Sequence, residues 1–149
     1  MELFDSHAHY NDEKFNEDRE EILQTVLDAG VTKAICAGYS LESSKEAVKI
    51  ANNYPNIYAI IGISPNDIPE KSMQYEPNLD KQLKQIEELA TNEKVVAIGE
   101  IGLDYYWNKE NKDEQKLAFQ KQIELANKLN LPIVIHTREA VYDLSLIHI

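Results

Sequence analysis

The chain has 149 residues, with 15 Lys and Arg against 26 Asp and Glu, a formal charge of −11 and a single cysteine. A hydrophobic content of 43% and a mean hydropathy of −0.46 describe an ordinary globular chain, and only 5 Gly and 5 Pro exclude collagen-like and low-complexity classes. A pI near 4.8 argues against an extended basic groove for nucleic acid, so any phosphate handled here needs local cations, which bound metal would supply.

At about 150 residues per domain, one domain is expected. Cys36 has no second cysteine to pair with, and the amino-terminal Met1-Glu2-Leu3-Phe4-Asp5 lacks a basic segment followed by an apolar one. The longest apolar runs, such as Tyr58 to Ile63, are far shorter than a membrane span. The expectation is a cytoplasmic protein with no membrane segment.

Short apolar runs alternate with helical stripes, the pattern of βα units feeding a parallel sheet. The first strand is Glu2 to Asp5, running into Ser6-His7-Ala8-His9; a helix from about Asp18 to Ala29 turns Ile22, Leu23, Val26 and Leu27 to one face and ends at Gly30. Strand two is Val31 to Ala37, and its helix spans about Leu41 to Asn53, with Ser43 and Glu46 at capping-box spacing and Pro55 at the exit. Strand three, Ile57 to Ile63, leads into an irregular loop, Ser64 to Pro69, before the stripe Leu79, Leu83, Ile86, Leu89. Strand four, Val95 to Ile98, runs into Gly99-Glu100-Ile101-Gly102-Leu103-Asp104; a helix from about Asp113 to Leu129 then carries Phe119, Ile123 and Ala126 inward. Strand five is Pro132 to Ile135, ending in His136-Thr137-Arg138.

Five parallel strands fit either a complete doubly wound domain or the first five βα units of a (β/α)₈ barrel. The turn after strand one carries Asp5-Ser6-His7-Ala8-His9 and no G-x-G-x-x-G, which weakens the dinucleotide reading. His7 and His9, two apart on extended backbone, point to one face with Asp5 one step deeper; two imidazoles can then converge on one ion with a carboxylate behind to orient a ring, or the pair is simply two surface histidines at a strand terminus. His136 and Glu100 also fall at the carboxyl ends of strands, the active face of a parallel barrel. A carboxylate such as Glu100 can bridge two divalent ions; it can equally be a solvated loop residue. Asp104 is a supporting acceptor or a turn residue. Tyr105, Tyr106 and Trp107 stack on a base or sugar, or cover the rim of a core. Arg138 forks onto a phosphate oxygen or pairs with Glu139. Cys36, within an apolar strand, is expected to be a buried hydrophobe rather than a nucleophile.

The segments Phe4 to His9, Val96 to Tyr105 and Pro132 to Arg138 resemble, in order and spacing, the successive signatures of the TatD family of metal-dependent hydrolases, within the amidohydrolase-like barrels. The resemblance implies a (β/α)₈ barrel of which this chain supplies the first five units, truncated. It implies two divalent metal ions (Mg, Mn or Zn) and action as a nuclease on DNA; some members are exonucleases or D-aminoacyl-tRNA deacylases. By the same resemblance His7 and His9 bind one ion, Glu100 bridges two, and His136 binds the second. Asp5, Asp104 and Arg138 support the site or touch substrate. The alternatives are a C–N hydrolase of the amidohydrolase type and a non-catalytic metal-binding fragment.

Two departures stand out. Gly62-Ile63-Ser64-Pro65 replaces the family's Gly-x-His-Pro, so Ser64 cannot act as an imidazole would; and the family's sixth-strand His and eighth-strand Asp have no counterpart. The last six residues, Leu144 to Ile149, alternate apolar side chains without a helical stripe and resemble the translated end of a transposon-derived sequencing adapter. The expectation is therefore a truncated product with 1–143 native and 144–149 a non-native tail, His148 no ligand, open sheet edges prone to association, and little activity.

Overall fold

A computed structural model describes residues 2–148. Strands β1 (Leu3–Ala8), β2 (Val31–Ala37), β3 (Ile57–Ile61), β4 (Val95–Asp104) and β5 (Ile133–Arg138) alternate with helices α1 (Arg19–Asp28), α2 (Leu41–Asn53), α3 (Tyr75–Leu89), α4 (Lys112–Leu129) and α5 (Val141–His148); a 3₁₀ turn, Glu13–Phe15, follows β1. Every neighbouring pair is parallel and the strand order is β1-β2-β3-β4-β5. That order separates the two architectures left open above. A doubly wound sheet reverses direction at a switch point, whereas a sheet in which each new strand joins the last one's free edge curls steadily toward closure. This chain is a half-barrel of five βα units.

The middle of the sheet is dry. β3 and β4 are buried along almost their whole length, and Ile57, Ile61, Ile98, Ile101 and Leu103 join Leu79, Ile86, Phe119 and Ala126 of the helices in the main core. A second, smaller cluster gathers Ala37, Ile60 and Ala97. The outer strands are wet: Phe4 on β1 is 60% exposed, and Leu3 and Ile135 are exposed as well.

Several boundaries differ from the sequence expectation, each for a local reason. β4 does not stop at Gly99, because β5 pairs past it; from Ile98 to Ile101 β4 advances three residues while β5 advances from Ile133 to Ile135, so one residue bulges and Glu100 stays within the strand. Gly102 then sits at φ 145 with no room for a side chain, since a Cβ there would overlap the carbonyl oxygen of His136. In α2 the capping box is Ser40 with Ser43, not Ser43 with Glu46: Ser40 is extended, the helix begins at Leu41, and Ser43 falls at its third position. Glu46 instead meets Arg19 and Lys49. The stretch expected to lack helical patterning forms the end of α5, where Leu144 and Ile147, three apart, pack on the core. The expectations for the His148 side chain and for Ile149 lie outside the described residues.

α4 carries two buried amides that its apolar pattern did not reveal. Gln122 accepts from the Ile63 N–H (2.8 Å) and donates to the Ile63 carbonyl (2.9 Å); Gln115 does the same to Asp104 (2.8 and 2.9 Å). Both mimic a neighbouring peptide where the strands end, and so hold the loops after β3 and β4 in place. Ser44 of α2 clips Gly62 in the same way.

Candidate metal centre

β1 carries a bulge of its own. It advances from Asp5 to Ala8 while β2 advances only from Ala34 to Cys36, so strict alternation breaks between Asp5 and His7. His7 and His9 still converge: their rings meet edge to face at 5.1 Å, and their Nε2 atoms lie 3.5 and 3.6 Å from Oε2 of Glu100. Asp5, however, does not stand behind a ring. Its carboxylate accepts from the His7 backbone N–H and from the Tyr10 hydroxyl (2.9 Å), whose acidity burial and Asp5 itself weaken to about 12. The ring of His9 is oriented by the carbonyl of Ala37, 2.9 Å from Nδ1. A carbonyl only accepts, so Nδ1 carries the hydrogen, and in the unprotonated ring the Nε2 lone pair faces Glu100.

His7, His9 and Glu100 place one donor atom each within 4.8 Å of one another. Lone pairs facing across such a gap repel unless a cation lies between them. Two metal bonds of about 2.1 Å meeting at 90–110° separate their donor atoms by about 3.0–3.4 Å, close to the spacing found. Two imidazoles and a carboxylate suit Zn, Mn or Fe, so the donor set fits a divalent ion.

The other Glu100 oxygen faces a different partner. His136 Nδ1 lies 3.0 Å from Oε1, and its Nε2 lies 2.9 Å from Oδ2 of Asp104. Bracketed this way, His136 is held above the ordinary imidazole pKa, first by the Glu100 hydrogen bond, against burial, with Asp104 adding to it. Glu100 is correspondingly held below the usual carboxylate value by the His136 bond, which with the charges of the three histidines outweighs burial. His136 thus joins Glu100 on the side away from His7 and His9, with both ring nitrogens on carboxylates.

Asp104 is fully buried. Burial favours its neutral form, but Asn66 Nδ2, His136 and the backbone N–H groups of Trp107 and Tyr106 donate to it and hold it below the ordinary value. It is a supporting acceptor and a turn former together. Arg138, opposite Asp104 in the ladder, does not pair with Glu139, which faces Lys109; its guanidinium lies 3.8 Å over the Tyr106 ring. Cys36 is buried against Asn11 with its thiol pushed up to about 12 by burial, no nucleophile.

Ser64, where an imidazole was absent, knits its own loop: its hydroxyl donates to Asp67 and its N–H to the Tyr39 carbonyl. The same loop nonetheless reaches the site through Asn66, which sequence reasoning missed, as it missed Tyr39 packed edge-on against His9 at 5.5 Å. An asparagine between Pro65 and an irregular stretch carries no periodic signal; only the fold turns it toward Asp104.

The half-barrel thus carries imidazole and carboxylate donors at the carboxyl ends of its strands, the active face of a parallel barrel. The TatD-related DNase family model matches residues 4–148, and the chain belongs to that family. It is 41% identical over 141 residues to the uncharacterized metal-dependent hydrolase YabD of Bacillus subtilis (strain 168), covering 95% of this chain and 52% of that protein. It is 35% identical over 138 residues to the 3'-5' ssDNA/RNA exonuclease TatD of Escherichia fergusonii, covering 93% and 50%. The crystal structure of YjjV, a TatD homolog from Escherichia coli K12, superposes with a TM-score of 0.84 at 30% identity, over 97% of this chain and 54% of that one. The chain therefore spans about half the length of the relatives it matches. Among the described residues no helix is long and apolar enough to cross a membrane.

Proposed function

We propose that the complete protein is a cytoplasmic two-metal phosphodiesterase acting on nucleic acid, DNA above all. His7 and His9 would hold one ion and His136 the second, with Glu100, whose two oxygens face the two groups of histidines, shared by both. The observation that carries this reading is the division of Glu100: one oxygen toward His7 and His9, the other toward His136. Two divalent cations held there supply Lewis acidity toward the phosphodiester and the attacking water, and offset the acidity of the chain. The chain's own residues do the rest. Asp104 fixes the His136 ring through Nε2, Ala37 fixes His9 through Nδ1, and Arg138, with no carboxylate partner among the described residues, is placed for a phosphate oxygen. The naming of Escherichia relatives as ssDNA/RNA exonucleases supports the substrate class.

The 149 residues alone are proposed to hydrolyse little, because β1 and β5 are edges of an open sheet and the donors between them face solvent instead of a closed, partly dry cavity. The test incubates single-stranded DNA and RNA with the full-length protein in Mg²⁺, Mn²⁺ or Zn²⁺, alongside this chain and its His7→Ala/His9→Ala variant. Nucleotide release by the full-length protein supports the reading. Hydrolysis of cyclic amides with no nucleotide release overturns it, and robust cleavage by the short chain that the double variant abolishes overturns the inactivity.

A further inference from the structure

Beside the candidate metal centre lies a group of side chains of which the hydrolytic reading uses only Arg138. Trp107 is 67% exposed and Tyr106 46% exposed, although both are large rings at the end of a strand that is otherwise buried. Their planes cross at 88° with centroids 4.8 Å apart, and the Arg138 guanidinium lies 3.8 Å over Tyr106 and 5.3 Å from the centre of Trp107. They are not the rim of a core. Trp107 lines a groove of about 680 Å³ between the loops after β3 and β4, with Asn66, Asn108 and Asn111 and the charged Glu70, Lys71 and Glu110.

Resting on the nucleic-acid reading above, we propose that Tyr106, Trp107 and Arg138 form the platform for one unpaired nucleobase of a single strand, with the groove receiving that base and Arg138 its flanking phosphate. Three features favour this occupant. A groove of this size matches one nucleotide-sized unit. Its walls offer a flat aromatic face with amide edges, the combination that stacks any base and hydrogen-bonds its rim. And the platform is tied to the hydrolytic site by one carboxylate: Asp104 accepts from the N–H groups of Tyr106 and Trp107 and from His136, so the stacked base and the scissile phosphate are held in one frame. A base inside a duplex has no free face, so double-stranded nucleic acid is excluded from the groove. The formal charge of −11 sharpens the inference, because binding here must draw on stacking; Lys71 in the groove is paired with Glu114, which leaves about one cation, Arg138, for phosphate contact.

Trp107 is the only tryptophan, which makes the platform its own reporter. The experiment titrates this chain, in EDTA so that no cleavage occurs, with fluorescently labelled oligothymidylate, the same length of abasic strand, and a duplex. Tryptophan emission and label anisotropy are followed together. The expected result is quenching by the base-bearing single strand only, an affinity about tenfold weaker in Trp107→Ala, and recovery in Trp107→Phe. Arg138→Gln is expected to weaken binding a few-fold and to flatten a salt dependence that corresponds to about one phosphate contact. Far-ultraviolet circular dichroism checks that each variant folds. Equal binding of abasic and base-bearing strands, or unchanged affinity in Trp107→Ala, overturns the platform while the nucleic-acid reading stands. Absence of binding by every strand overturns both.

Discussion

β4 and β1 each contribute to the candidate metal centre, but from opposite physical settings. Glu100 and Asp104 stand on a strand that is buried nearly throughout, flanked on both sides by paired strands and clipped at its end by Gln115. His7 stands on an edge strand, and His9 just past its end; Leu3 and Phe4 on that strand are exposed, and it has only β2 to pair with. The carboxylates are thus preorganised by the core, whereas the imidazoles depend on a few specific contacts: Ala37 on His9, Tyr10 on Asp5, and Arg19, which donates to the carbonyls of Tyr10 and Asp12. The lesson is that substitutions on β4 act through stability and ligand geometry at once. Those on β1 act on ligand geometry almost alone.

The sharpest way to break this contrast is Gly102→Ala. The residue would have to hold a positive φ and push aside the His136 carbonyl, a cost of about 4 kcal/mol or more. A thermal melt is expected to fall by at least 10 °C; an unchanged melt would show that β5 yields freely and that the centre of the sheet is not rigid. Gln115→Ala comes next. It strips partners from the buried N–H and carbonyl of Asp104 at about 3 kcal/mol in total, measured by urea unfolding, while an equal loss for the exposed Phe4→Ala would erase the distinction between core and edge.

Glu100→Ala tests the chemistry of the same strand. Its loss removes the only carboxylate shared by both histidine groups, and calorimetric affinity for Zn²⁺ or Mn²⁺ is expected to drop at least a hundredfold, more than for His136→Ala. Retention of two ions by Glu100→Ala would remove Glu100 from the bridging position. Asp104→Asn, which puts an amide where the carboxylate accepts from His136 and Asn66, is expected to weaken metal binding about tenfold with little change in ligand number. The smallest effect belongs to the edge: Phe4→Ala is expected to change stability by less than about 0.5 kcal/mol, since a 60% exposed ring loses little on truncation.

Much of this architecture was legible from periodicity. β2 and α2 appear with the bounds expected, and His7, His9, Glu100 and His136 do meet at one end of the sheet. The misreadings cluster where local rules compete. Gly99 and Gly102 looked like the end of a strand because glycine is poor in strand propensity, yet pairing with β5 carries the ladder through them. Gln115 and Gln122 add nothing to the apolar stripe of α4, yet they face peptide groups that only the ends of β3 and β4 provide. Asp5 was placed behind a histidine by strict alternation, and a single bulged residue undid that.

What the amino-acid order determined by itself was the alternation of strands and helices and the chemical type of each strand end, because both follow from periods of two and 3.6 residues and from side-chain chemistry within one element. Tertiary structure alone decided which oxygen of Glu100 faces which histidine, that Asn66 reaches Asp104 from the loop after β3, and that Arg138 lies on Tyr106 rather than beside Glu139. Those contacts join residues 32 or more apart in sequence, and no local period encodes a bulge or a neighbouring strand's register.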